Sequence, residues 1–226
     1  MGYKAVVFDL FETLVTEWGH RKYTKREMSE DLGIDKETFD IYWEEKELDR
    51  YVGSIDFEDS IRYVFRQCGK TVDEATLAAV TDLRISTKAG CFTAVLPEVT
   101  ELLKTLRRMG LKTAILSNCS SEEVRVLMES EIASYFDEIV LSYEVGMKKP
   151  DAGIYEEATR RLGIPAAECL FVGDGGSNEL VGARNAGMTA VQAKWYTNRF
   201  PVKRGNIEGF PAAEEPAEIP GYLEGK

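Results

Sequence analysis

Ala5-Val6-Val7-Phe8-Asp9-Leu10-Phe11-Glu12-Thr13 opens on an unbroken apolar run that ends at a carboxylate. Four apolar residues in succession, with no polar alternation, read as a strand buried on both faces of a parallel sheet. In such a sheet the site forms beyond the carboxyl ends of the strands, so Asp9 is the first candidate. Further along, Thr113-Ala114-Ile115-Leu116, Ile139-Val140-Leu141, Cys169-Leu170-Phe171-Val172 and Thr189-Ala190-Val191-Gln192 are strands of the same kind.

Helical patterns separate these strands. Val99, Leu102, Leu103 and Leu106 share one helical face ahead of Gly110, and Ser121 starts a helix with Glu122 and Glu123 in its first turn. Asp151 to Leu162 stops at Gly163, and Asn178 to Ala186 stops at Gly187. Strand and helix in alternation predict an α/β fold with a parallel sheet covered on both faces. Residues 16–95 break the rhythm. Asp35 caps a helix carrying Phe39, Tyr42 and Trp43; Ile61, Val64 and Phe65 mark a second, closed by Gly69; Leu77, Val80 and Leu83 mark a third. This stretch reads as a helical insertion. After Asn198, Pro201, Pro211, Pro216 and Pro220 with Gly205, Gly209 and Gly221 predict an extended tail, packed over the core or partly disordered.

The bulk numbers narrow the partners. In 226 residues, 39 acidic against 28 basic side chains give a net charge of −11. That field disfavours nucleic acid and anionic membrane surfaces, while a local cluster of lysine and backbone amides still admits a small anion. Cys68, Cys91, Cys119 and Cys169 form no metal-thiolate spacing and read as reduced thiols. With no signal peptide and no apolar span, the expected location is the cytoplasm.

Each strand end delivers something chemical. The first gives Asp9, the second Ser117-Asn118, the segment after the third Lys149-Pro150-Asp151, and the fourth Gly173-Asp174 with Glu179 just beyond. Singly, a carboxylate after a strand is as often a turn residue as a catalyst. Carboxylate, hydroxyl, ammonium and paired carboxylate on four consecutive strand ends make a site.

In this set the chain resembles the haloacid dehalogenase-like superfamily of aspartate-nucleophile hydrolases. Asp9-Leu10-Phe11-Glu12-Thr13, Ser117-Asn118, Lys149-Pro150 and Gly173-Asp174 with Glu179 match its four motifs in order, over residues 1 to about 197. The resemblance implies a Rossmann-like catalytic core of residues 1–15 and 96–200, an inserted helical cap over 16–95, and a separate tail over 201–226. It also implies a Mg²⁺-dependent phosphohydrolase acting on a small phosphorylated metabolite through an aspartyl-phosphate on Asp9. Ser117 and Lys149 would hold the phosphoryl oxygens, Phe11 and Asn118 would line the substrate, and Thr13 would steady the first loop. Asp9, Asp174 and the backbone carbonyl of Phe11 would ligate the metal, and Glu179 would orient Lys149 or hold the metal through water.

One residue departs from that pattern. Phosphatases of the family place a second Asp two residues after the nucleophile, to protonate the leaving oxygen; here Phe11 stands there. An aromatic at this place resembles the branch that cleaves carbon–halogen bonds without metal, so a 2-haloacid dehalogenase is the alternative. Against it, Asp174 stands where dehalogenases carry Ser, and Trp43 is followed by Glu44 rather than by an Arg for the substrate carboxylate. Tyr155 matches a dehalogenase position but also suits packing. His20, the only histidine, is a possible substitute acid and otherwise an exposed polar residue. A third reading is an idle member that binds a phosphorylated ligand, which has no need of the intact Asp9, Ser117, Lys149 and Asp174.

Overall fold

The computed structural model describes residues 2–200 and 205–224; Pro201, counted above in the tail, lies outside them. Six strands form one parallel sheet: β1 (Ala5–Phe8), β2 (Lys112–Ser117), β3 (Glu138–Leu141), β4 (Cys169–Gly173), β5 (Thr189–Ala193) and β6 (Ala212–Ala213). Their spatial order is β3-β2-β1-β4-β5-β6, so chain order reverses between β1 and β4. This is the Rossmann-like arrangement, and the crevice at the reversal is where a ligand site belongs.

Period-two alternation assigns each strand two apolar faces. Val6, Phe8, Leu170 and Val172 point to one side, where they meet Val99, Leu102, Leu103 and Leu106. Ala5, Val7, Cys169 and Phe171 point to the other, where they meet Ile154, Ala158 and Leu162. The covering helices are α6 (Pro97–Arg108) on the first face and α9 (Ala152–Leu162) and α10 (Glu179–Asn185) on the second, with α7 (Ser121–Glu129) and the single turn α8 (Ser142–Val145) at the β3 side.

Between β1 and α6 lie five helices and no strand: α1 (Lys25–Asp31), α2 (Lys36–Glu45), α3 (Glu47–Tyr51), α4 (Phe57–Gln67) and α5 (Glu74–Thr93). Thr24, Asp35, Asp56 and Asp73 cap four of them through bonds to backbone amides. Their apolar stripes converge on a cluster of their own, with Phe39, Trp43, Phe57 and Ile61 at its centre. No helix among the described residues is long and apolar enough to cross a membrane.

The described part of the tail packs over the core, one of the two arrangements expected, and in addition carries a strand and a helix. It joins the sheet: Gln192 donates its amide to the Pro211 carbonyl and Lys194 to that of Ala213, which adds β6 beside β5. A last helix, α12 (Ile219–Leu223), follows α11 (Trp195–Arg199), and its Ile219 and Leu223 sink into the core. Burying those two apolar side chains and pairing the strand edge favours order over an extended chain.

The close approach of α9 and α10 depends on a residue without a side chain. A Cβ at Gly182 would lie 2.5 Å from the Tyr155 hydroxyl and 2.9 Å from the Pro150 carbonyl. Gly182→Ala should therefore cost about 1–3 kcal/mol through overpacking, seen as a melting-temperature loss of roughly 2–10 °C. An unchanged melting curve would mean that the two helices separate freely.

Candidate active site

The register pairs Phe8 with Ile115 of β2 and with Val172 of β4. Asp9 leaves the sheet just beyond that pairing; one residue further on, Ser117 is the last residue of β2, paired with Leu141, and Asp174 follows the end of β4. All three rise at the point where strand order reverses. Past Asp9 the chain turns back sharply. Glu12 takes a left-handed backbone (φ 58°), and the amides of Leu14 and Val15 both return to the Leu10 carbonyl. The Glu12 carboxylate accepts from the Thr16 hydroxyl at 2.6 Å and the Glu17 amide at 2.9 Å. Burial pushes that carboxyl above its ordinary range in spite of these bonds.

Two side chains of α11 brace the same loop from outside. Trp195 Nε1 donates to the Thr13 carbonyl at 2.7 Å, and the Tyr196 hydroxyl donates to the Leu14 carbonyl at 3.1 Å. Asp9 is thereby presented in one direction, with the Thr13 hydroxyl donating to its Oδ2 at 3.3 Å.

Lys149 is 2% exposed, and its ammonium donates to Asp9 Oδ1 and to Glu179 Oε2, both at 2.5 Å. Burial opposes the charge on Lys149. The two carboxylates outweigh it, and the group stays protonated well above the ordinary lysine range. Asn118 turns both ends of its amide on the backbone of Lys149, donating to the carbonyl at 3.1 Å and accepting from the amide at 2.8 Å. Glu179 is held on its other oxygen by the Gly175 amide at 2.9 Å, and Asp174 Oδ1 accepts from the Gly176 amide at 3.0 Å. Tyr155 is fully buried; its hydroxyl donates to the Glu179 carbonyl at 2.9 Å and its ring meets Phe171 edge-on. It supports the start of α10 and lies among the core residues.

Asp9, Asp174 and Glu179 each offer a carboxylate oxygen within 4.8 Å of the other two, and all three are buried. Three carboxylates converge beside the Lys149 ammonium, close enough to repel one another. Burial first, then the neighbouring Asp9, drive the Glu179 carboxyl well above its usual range. A divalent cation with oxygen ligands relieves that repulsion, so the donor set fits a small hard metal ion.

The cluster forms the floor of a cleft of about 340 Å³ whose walls include Phe11, Ser117, Asn118 and Lys148, with Glu47 and Tyr51 of α3 on the opposite side. Phe11 packs edge-on against Phe92 of α5, with ring centroids 6.4 Å apart, and the Lys88 ammonium sits 5.0 Å from its ring centre. His20 is not among the lining residues; it lies beside Gly90 of α5. The Arg50 guanidinium stacks 3.8 Å over the Trp43 ring, and neither residue lines this cleft.

Sequence reasoning missed Trp195 and Tyr196, although they follow a strand end as Asp9 does. It also missed the charge network at the foot of α5. There Arg84 pairs with Glu122 of α7, and Lys88 pairs with both Glu17 and Glu123.

The chain is similar to known proteins. The model of a family described as haloacid dehalogenase-like hydrolase matches residues 3–187. A glyceraldehyde 3-phosphate phosphatase of Methanopyrus kandleri is 30% identical over 224 residues, covering 96% of this chain and 95% of that protein. An (S)-2-haloacid dehalogenase of Pseudomonas sp. strain YL is 32% identical over 132 residues, 58% of this chain and 54% of that protein. The solved 2-haloacid dehalogenase of Pseudomonas syringae pv. tomato DC3000 superposes with a TM-score of 0.69 at 21% identity, with 98% of each chain covered, and speaks for the fold. A Rossmann-like sheet, four strand ends converging on Asp9, and a family match over most of the length together make this chain a member of the haloacid dehalogenase-like hydrolases.

Proposed function

We propose that this hydrolase cleaves phosphate monoesters of a small metabolite through an aspartyl-phosphate on Asp9. Mg²⁺ would be held by Asp9, Asp174 and the backbone carbonyl of Phe11, with Glu179 bound directly or through water. The observation that carries this reading is the buried trio Asp9, Asp174 and Glu179 beside the ammonium of Lys149. Buried carboxylates crowded this closely repel one another unless a cation balances them. Bound there, Mg²⁺ supplies charge neutralisation for the phosphoryl oxygens.

The chain's own residues do the rest. An Asp9 oxygen attacks phosphorus while the ester oxygen departs in line, and water then breaks the new P–O bond to regenerate the carboxylate. Lys149 and the Ser117 hydroxyl neutralise and orient the phosphoryl group, while Thr13 fixes the second Asp9 oxygen. The amides of Leu10, Phe11 and Glu12 form an anion nest, for which the left-handed Glu12 supplies the turn. Asn118 acts by pinning Lys149 at its backbone. The helical segment 16–95 serves as a cap over a core of residues 1–15 and 96–200, supported by its separate apolar cluster and by Glu47 and Tyr51 in the cleft. The test is a panel of phosphate esters, glyceraldehyde 3-phosphate first because of the Methanopyrus relative, assayed with and without Mg²⁺. Phosphate release that requires Mg²⁺ supports the reading; none from any ester contradicts it.

Phe11 sets the leaving groups this site can expel. No carboxylic acid stands there to protonate an alkoxide, a loss of about 10²–10⁴ for poor leaving groups. The protein should therefore cleave aryl and acyl phosphates far faster than alkyl phosphates. Phe11→Asp should raise alkyl-phosphate turnover and flatten that dependence, at a stability cost of about 1–3 kcal/mol that the nearby Lys88 reduces. Unchanged leaving-group sensitivity in a folded Phe11→Asp protein would show that another group already serves as the acid. The dehalogenase reading has Phe11 in its favour, and it predicts halide release from a 2-haloacid in EDTA.

A further inference from the structure

Arg50 is a buried cation that the proposed chemistry does not use. It is 7% exposed, stacked on the Trp43 ring and bonded to the Trp43 carbonyl at 2.7 Å. Those two contacts fix the guanidinium and consume one of its five N–H donors. Its charged neighbours differ. Lys25 pairs with Glu44, Arg84 with Glu122, and Lys88 with Glu17 and Glu123. Among the described residues no carboxylate pairs with Arg50, and a buried cation without one is costly unless a ligand completes it.

The guanidinium lines a cavity of about 250 Å³ between α3 and the start of α7. Glu47 and Tyr51 line both this cavity and the Asp9 cleft, so the two spaces meet at those residues. A substrate with its phosphate at Asp9 and its far end past Tyr51 would reach the wall that Arg50 lines. The charges on the cavity wall decide what that end is. Lys25, Arg50 and Arg84 stand against Glu44, Glu47, Glu122 and Glu123, one negative charge in excess. A second anion would add to that excess. A neutral oxygen would not, and an exposed Glu47 can accept from a neighbouring hydroxyl.

We infer that Arg50 is a specificity-determining residue, which donates to an uncharged hydroxyl or carbonyl oxygen at the far end of a short phosphorylated polyol or hydroxycarbonyl substrate. This rests on the phosphohydrolase reading above. It adds to that reading the class of substrate and the residue that selects it.

Glycerol 3-phosphate, propyl phosphate and 3-phosphoglycerate test it, because all three leave as primary alkoxides and differ mainly in what they offer Arg50. The wild-type protein should prefer glycerol 3-phosphate to each of the others by about 10- to 100-fold in kcat/KM, carried mainly by KM. In Arg50→Met the preference over propyl phosphate should collapse to within about threefold. Circular dichroism checks the fold. If Arg50→Met does not fold, Glu47→Gln, at an exposed position, should still lower the same ratio. Equal wild-type rates on glycerol 3-phosphate and propyl phosphate would overturn the inference. So would 3-phosphoglycerate as the best substrate, or an Arg50→Met protein that loses both neutral esters by one factor. Hydrolysis of no phosphate ester would instead remove the phosphohydrolase reading itself.

Discussion

Asp9→Asn lowers turnover of any accepted phosphate ester by at least about 10³-fold and leaves the fold intact, because an amide oxygen is a poor nucleophile. The substitution is nearly isosteric, so the Thr13 bond and the braces from Trp195 and Tyr196 remain available. Lys149 keeps its second partner, Glu179, at 2.5 Å. Removing one charge from a cluster of three crowded carboxylates does not leave the ammonium stranded, so the melting temperature should hold or rise. Phosphate-release kinetics and a thermal melt on the same preparation check both halves. Near wild-type turnover would exclude Asp9 as the nucleophile.

Removing the metal, or one of its carboxylates, has an effect of comparable size. EDTA should suppress hydrolysis, and Asp174→Asn should lower the Mg²⁺-supported rate by about 10²–10³-fold, the scale of losing one preorganised charge contact to a transition state. Asn keeps an oxygen that can accept from the Gly176 amide, which preserves the turn after β4. The Mg²⁺ titration is therefore the informative readout: the variant should need far more Mg²⁺ to reach its own maximum. Full activity in EDTA would mean that the three carboxylates are balanced in some other way, and would favour halide release.

The central strands and their strand-end residues were legible because each is a continuous apolar run followed at once by a polar residue. Ala5–Phe8 before Asp9 and Cys169–Gly173 before Asp174 are the clearest cases. β6 was not legible. Two alanines after Pro211 carry no periodicity, and what makes them a strand is backbone pairing with β5. Trp195 and Tyr196 were hidden for a different reason: they bond to carbonyls 182 residues earlier in the chain, a contact no local pattern encodes. Arg50 was one of several basic residues in the helical segment with no visible direction. α3 has only five residues, too few for a hydrophobic face to be read. The structure separates it from Arg62, which is occupied on the exterior by Asp59 and Glu74. His20 fell on the other side of the same question, since position just past the first motif does not bring it to the cleft.

The phosphoenzyme itself gives the most direct measurement. The protein is mixed with an aryl phosphate and Mg²⁺, quenched in acid within the first turnovers, digested, and its peptides analysed by mass spectrometry. The account predicts a phosphate on the peptide containing Asp9, absent from Asp9→Asn and from samples mixed with EDTA in place of Mg²⁺. An enzyme that carries no phosphate at any time, while releasing halide from a 2-haloacid in EDTA, would contradict it.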